Sequence, residues 1–96
     1  MYTISDATIR ELAQKATELK ENSPIGTGFF DILESDNDQV TATVIKSNDR
    51  FEVYVDYVYS RTEGEWRSTD SLDKRELITL LTKIREEAKE AVGEVA

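Results

Sequence analysis

The segment from Phe51 to Ser60 constrains this chain more than any other. Phe51, Val53, Val55, Tyr57 and Tyr59 alternate with Glu52, Tyr54, Asp56 and Val58. Successive side chains of a strand point to opposite faces, so this period of two predicts a strand with one apolar side. Such a strand needs neighbours, and two shorter segments of the same kind precede it. Gly28 to Glu34 sets Phe30 and Ile32 against Phe29, Asp31 and Leu33, and Val40 to Lys46 sets Val40, Ala42 and Val44 against Thr41, Thr43 and Ile45. Ser35-Asp36-Asn37-Asp38 and Ser47-Asn48-Asp49 are turn clusters. Glu63-Gly64 is expected as a tight hairpin turn into a short fourth strand, Glu65 to Ser68. Strands joined by short turns pair as an antiparallel meander.

Helical periodicity brackets the strands. Ser5 is a good N-cap, Asp6 suits the positive end of the helix dipole, and Ile4 and Ile9 have the spacing of a hydrophobic staple. Ile9, Leu12, Ala13, Ala16 and Leu19 form one apolar stripe, with Glu11 and Lys15 a favourable pair beside it. Asn22-Ser23-Pro24 is expected to end this helix. At the other end, Asp73 and Glu76 have capping-box spacing, flanked by Leu72 and Leu77. Leu77, Leu80, Leu81, Ile84, Ala88 and Ala91 make the second stripe, and Gly93 is a natural stop. The order is α-β-β-β-(β)-α, so the predicted class is α+β. It is a single domain over residues 1–96, with an antiparallel meander sheet and two helices packed on one face. The other sheet face is left uncovered.

Composition closes off several kinds of chemistry. A chain of 96 residues buries about 60–68% of its unfolded surface, enough for one modest core. It has no His and no Cys, which removes disulfides, thiolate chemistry, the common zinc sites and His-dependent nucleophilic systems. No cofactor is expected. Asp36-Asn37-Asp38 lacks the glycine and the glutamate of a calcium loop, where Ser47 stands at the twelfth position. Ser23 to Gly28 lacks the Lys-Ser/Thr of a phosphate loop. Nothing at the N-terminus reads as a signal peptide and no apolar run is long enough to span a membrane, so a cytoplasmic location is expected. No paired carboxylates are placed in a cleft by the pattern, so the chain is expected not to be an enzyme.

The formal charge is −8. Direct binding of nucleic acid or anionic lipid is disfavoured, and a basic partner is favoured. Residues 25–50 and 51–70 each carry net −3, whereas 1–24 and 71–96 each carry net −1. The acidity therefore belongs to the sheet, whose outer face would hold Phe29, Asp31, Leu33, Thr41, Thr43, Ile45, Glu52, Tyr54, Asp56 and Val58. Large apolar groups on such a face suggest a contact surface, with Tyr54 at its centre between Glu52 and Asp56. Strand neighbours two residues apart are about 6.5–7 Å apart, of the order of successive phosphates on a nucleic-acid strand. Glu52 and Asp56, with Asp31, Glu34, Asp36, Asp38 and Asp49 at edges and turns, are the candidates for a phosphate-like row. Trp66 is expected to cap the edge of the core, with Arg61 and Arg67 tempering the acidic field nearby.

In layout, size and charge the whole chain resembles small acidic anti-CRISPR proteins of phages. That resemblance implies an inhibitor or decoy that fills the basic channel of a nucleic-acid-binding protein. The second half, Phe51-Glu52-Val53-Tyr54-Val55 through Ser71-Leu72-Asp73 to Leu77-Ile78-Thr79-Leu80-Leu81, also resembles bacterial secretion-chaperone-like folds. This second resemblance implies a homodimeric protein-binding module in which two open faces meet.

Overall fold

The computed structural model describes residues 2–18, 26–34, 37–59, 62–67 and 71–91. The elements are β1 (Tyr2–Thr3), α1 (Asp6–Thr17), β2 (Gly26–Glu34), β3 (Gln39–Ser47), β4 (Arg50–Tyr59), β5 (Thr62–Arg67) and α2 (Lys74–Ala91). The class is α+β. All strands join one antiparallel sheet in chain order, β1-β2-β3-β4-β5.

Local sequence sets the helix starts as expected. The Ser5 hydroxyl accepts from the Thr8 amide at 3.2 Å. At α2 the capping box is reciprocal: the Glu76 amide donates to Asp73 at 2.8 Å, and the Asp73 amide donates to Glu76 at 3.1 Å. α1 stops at Thr17, well before Pro24. Its end has its own stop: the Lys46 ammonium, reaching from β3, donates to the Thr17 carbonyl at 2.7 Å. A cation there satisfies a last-turn carbonyl and complements the negative end of the dipole. Leu19 and Pro24 lie outside the described residues, as does Gly93.

Both helices pack on the same side of the sheet. Ile9, Ala13 and Ala16 of α1 and Leu77, Leu81, Ile84 and Ala88 of α2 share one buried cluster with Val40, Ala42, Val44, Phe51, Val53 and Val55. Arg85 ties the helices together. It is 8% exposed, contacts Asp6 at 2.6 Å and Glu86 at 2.7 Å, and donates to the Ile4 carbonyl at 3.4 Å. Its hydrogen bond and charge hold the Asp6 carboxyl below its usual range. Lys74 adds a bond to Gln14 at 2.7 Å.

Three local expectations change. First, the β2–β3 register shifts between Asp31 and Leu33, so that Leu33 faces Val40. This bulge turns both Ile32 and Leu33 inward, and Leu33 is 1% exposed; it is core, not outer face. The same shift places Glu34 opposite Gln39, on the outer side. Second, Glu63-Gly64 is not the hairpin turn. Tyr59 pairs with Thr62 and β5 runs Thr62–Arg67, so Glu63 and Gly64 lie within the strand. Ser60, Arg61 and Ser68 lie outside the described residues. Third, the chain begins with a short strand, β1, that pairs with Leu33 and Glu34. The β3–β4 turn is as expected. Asn48 and Asp49 have φ of 52° and 61°, the left-handed pair that a two-residue hairpin of this twist requires.

Candidate acidic sheet face

Register assembles the uncovered face row by row. Asp31, Thr41, Asp56 and Glu65 lie side by side on β2, β3, β4 and β5. The next row holds Phe29, Thr43 and Tyr54, and beyond it stand Ile45 and Glu52. On the other side are Glu34, Gln39, Val58 and Glu63. Strands lie about 4.8 Å apart, so Asp56 and Glu65 confront each other at about 5 Å, with Asp31 two strands away. The Thr41 hydroxyl donates to Asp31 at 3.3 Å. Among the described side chains, which do not include that of Arg67, no cation forms an ion pair with Asp31, Glu34, Glu52, Asp56, Glu63 or Glu65.

The apolar part of the face is real but narrower than expected. Phe29 is 73% exposed and Val58 46%, whereas Ile45 and Tyr54 are half-buried. Tyr54 stands between two hollows. One, of about 480 Å³, is lined by Tyr54, Asp56, Glu65 and Trp66. The other, of about 470 Å³, includes Ile45, Arg50, Glu52 and Tyr54. Trp66 itself pairs with Val55 and packs partly against the core, the edge-capping position expected of it.

The structure gathers Asp31, Glu34, Glu52, Tyr54 and Asp56 on this face and separates the other candidates. Asp49 lies in the β3–β4 turn, where it pairs with Lys46 at 3.7 Å. Asp38 sits near Tyr59, whose phenol pKa is raised by burial, by Tyr57, and by the charges of Glu87 and Asp38. That environment belongs to the helix-side end of the sheet. Asp36 lies outside the described residues. Glu52 and Asp56 are four residues apart, hence about 13 Å along the strand, twice the phosphate interval.

Glu63 and Glu65 complete the face; sequence reasoning placed Glu63 in a turn and Glu65 at the start of the short fourth strand, and counted neither among the candidates. The signal is in the alternation: in a strand from Thr62 to Arg67, Glu63 and Glu65 alternate with Gly64 and Trp66. These two stand at the two-residue interval of about 6.5–7 Å, and the bulge gives Asp31 and Glu34, opposite Thr41 and Gln39, the same offset of one row. Gly64 sits under the Tyr57 ring, and a Cβ there would lie 2.5 Å from the Tyr57 Oη. The glycine therefore admits a cross-strand aromatic, in contact distance of which Tyr59 stacks at 5.2 Å between ring centroids.

Among the described residues no group of three carboxylates is close enough to hold a metal ion, and no helix is long and apolar enough to cross a membrane. No family model, curated protein or solved structure matches this chain.

Proposed function

We propose that this chain is a non-catalytic binding domain whose acidic sheet face docks on a basic surface of another protein. The finer reading is a decoy: the carboxylates stand in for phosphates, and the target is a protein that handles nucleic acid. The observation that supports this most is the Asp56–Glu65 pair, directly opposed across β4 and β5 in a row that also holds Asp31. Like charges in opposed positions cost stability, on the order of 0.2–1 kcal/mol. Solubility alone is served by charges of mixed sign. A basic partner turns the same repulsion into attraction, and exposed Phe29 and Val58 add apolar contact within the charged field. Two copies meeting face to face would oppose carboxylate to carboxylate, which disfavours the homodimer reading.

The test is capture from a nucleic-acid-depleted lysate by the immobilised chain. Nucleic-acid-binding proteins should be retained at low salt, released by about 0.5 M salt or by competing duplex DNA, and lost with Glu52→Lys/Asp56→Lys. Capture unaffected by the double substitution, or by DNA, overturns the reading.

A further inference from the structure

The β5 edge joins two properties that other parts of the sheet keep apart. Phe51 exchanges both backbone bonds with Leu72, each at 2.8 Å. Leu72 lies on the β5 side of β4, so the odd-numbered residues of β4 are those that bond in that direction. β4 pairs with β3 in unbroken register, which carries this parity along the whole strand. The β4–β5 register then makes Thr62, Gly64 and Trp66 the residues bonded to β4. The backbone N–H and C=O groups of Glu63, Glu65 and Arg67 point the other way. No strand pairs with β5 on that side among the described residues.

Thus Glu63 and Glu65 each present an unpaired peptide group at the edge and a carboxylate on the outer face. Natural edges are blunted by proline, by lysine, by bulges or by a covering element. Within Thr62–Arg67 there is no proline and no lysine, and the β4–β5 register has no shift. Its charges are Glu63 and Glu65, with Arg67 the one base at the end of the strand, so the acidic pair selects by sign the part of an incoming strand that lies opposite it. A strand added here would bond to Glu63 and Glu65 through its own residues directly opposite, and those residues' side chains would lie beside the carboxylates. The hollow lined by Tyr54, Asp56, Glu65 and Trp66 opens alongside, and a guanidinium there meets two carboxylates and aromatic rings.

We infer that β5 is a strand-addition site for an extended basic segment of the partner, with basic residues at alternate positions opposite Glu63 and Glu65. The inference rests on the reading of the face as a dock for a basic protein, and specifies how part of that partner binds.

Synthetic peptides separate the two. The probe is the capped heptapeptide Thr-Arg-Thr-Arg-Thr-Arg-Thr, titrated against the intact chain with Trp66 fluorescence as readout. One isomer is N-methylated on the three arginine amides, which would bond to β5; a second is N-methylated on the last three threonine amides, which would point away. Charge and composition are identical. The arginine-methylated isomer should bind at least tenfold more weakly than the threonine-methylated one. Bound parent peptide should slow hydrogen exchange at the Glu63 and Glu65 amides. Glu63→Lys/Glu65→Lys should abolish binding of the parent. Equal binding of both isomers overturns strand addition while leaving the charged-face reading intact. So does protection confined to the free part of β2. A concentration-dependent dimer with those β5 amides already protected overturns it by giving the edge to a second copy. Absence of any binding by the parent peptide also overturns it, and the capture experiment then judges the face on its own.

Discussion

Replacing Gly64 by alanine tests whether the edge strand is held by the Tyr57 ring. Gly64 lies within extended β5, so an alanine is conformationally allowed and, in a strand interior, favoured over glycine by about 0.5–1 kcal/mol. Sterics oppose this. The new methyl would sit 2.5 Å from Tyr57 Oη, 2.7 Å from Cζ and 3.2 Å from Cε1. Ordinary contact begins near 3.5 Å, so the ring must retreat by roughly 1 Å. Tyr57 is stacked on Tyr59, and the displacement disturbs both. Overpacking of this kind costs about 1–3 kcal/mol. The single substitution should therefore destabilise by about 0.5–2 kcal/mol, or roughly 4–8 °C in Tm per kcal/mol for a chain of this size. In a Tyr57→Val background the ring is gone and the sign should reverse. The coupling in the double-mutant cycle should equal the steric cost. Urea unfolding followed by Trp66 fluorescence reports on β5 itself, and circular dichroism reports on the whole fold. A Gly64→Ala effect of the same sign and size in both backgrounds would refute the argument that this glycine exists to admit the ring.

Other consequences are more direct. Glu65→Lys replaces the like-charge pair with Asp56 by an opposite one, so it should raise stability by about 0.2–1 kcal/mol in urea titrations while weakening capture of basic proteins; a loss of stability would contradict the opposed geometry. Phe29→Thr should change the unfolding free energy in urea titrations by no more than about 0.5 kcal/mol, as surface positions do, but reduce retention of the partner. Leu81→Ala, at a fully buried position, should cost about 2–5 kcal/mol, read by thermal unfolding. Asp6 and Asp73 both have pKa values lowered from 3.8, Asp6 chiefly by its hydrogen bond to Arg85 and Asp73 chiefly by the backbone amide of Glu76. A lowered folded-state value means that their stabilisation is complete above the ordinary carboxylate range and drains away as pH falls below about 4. Asp6→Asn and Asp73→Asn should therefore be less stable than the parent at neutral pH, with the difference narrowing in acid.

Local features were legible in the sequence because their causes are local. The Asp73–Glu76 capping box needs only a spacing of three residues, and Phe51 to Tyr59 needs only alternation. The missed features depend on what lies across the sheet. Phe29 to Glu34 reads as simple alternation until β3 forces two residues of β2 against one, which moves Leu33 into the core and Glu34 out to the acidic face. Gly64 reads as a turn because glycine usually marks one; its actual reason is a ring seven residues earlier on β4, a contact that exists only once the strands are paired. That misplacement hid Glu63, since a residue assigned to a turn has no face, and cut the strand that carries Glu65 too short to show its partner at Glu63.

The acids of the chain divide by what each faces, and the proposed docking role falls to those without a cation of their own. Asp6, Asp49 and Glu86 meet cations at 2.6–3.7 Å, and each such pair is compensated within the chain. Asp31, Asp56 and Glu65 meet one another or a hydroxyl instead. A carboxylate pair opposed in a sheet raises the energy of the free protein by an amount that a cation from outside can recover on binding. Because that recovery depends on the pairing of β4 with β5, stability and affinity should move in opposite directions under Glu65→Lys and in the same direction under Gly64→Ala, which disturbs the strand and leaves its charges in place.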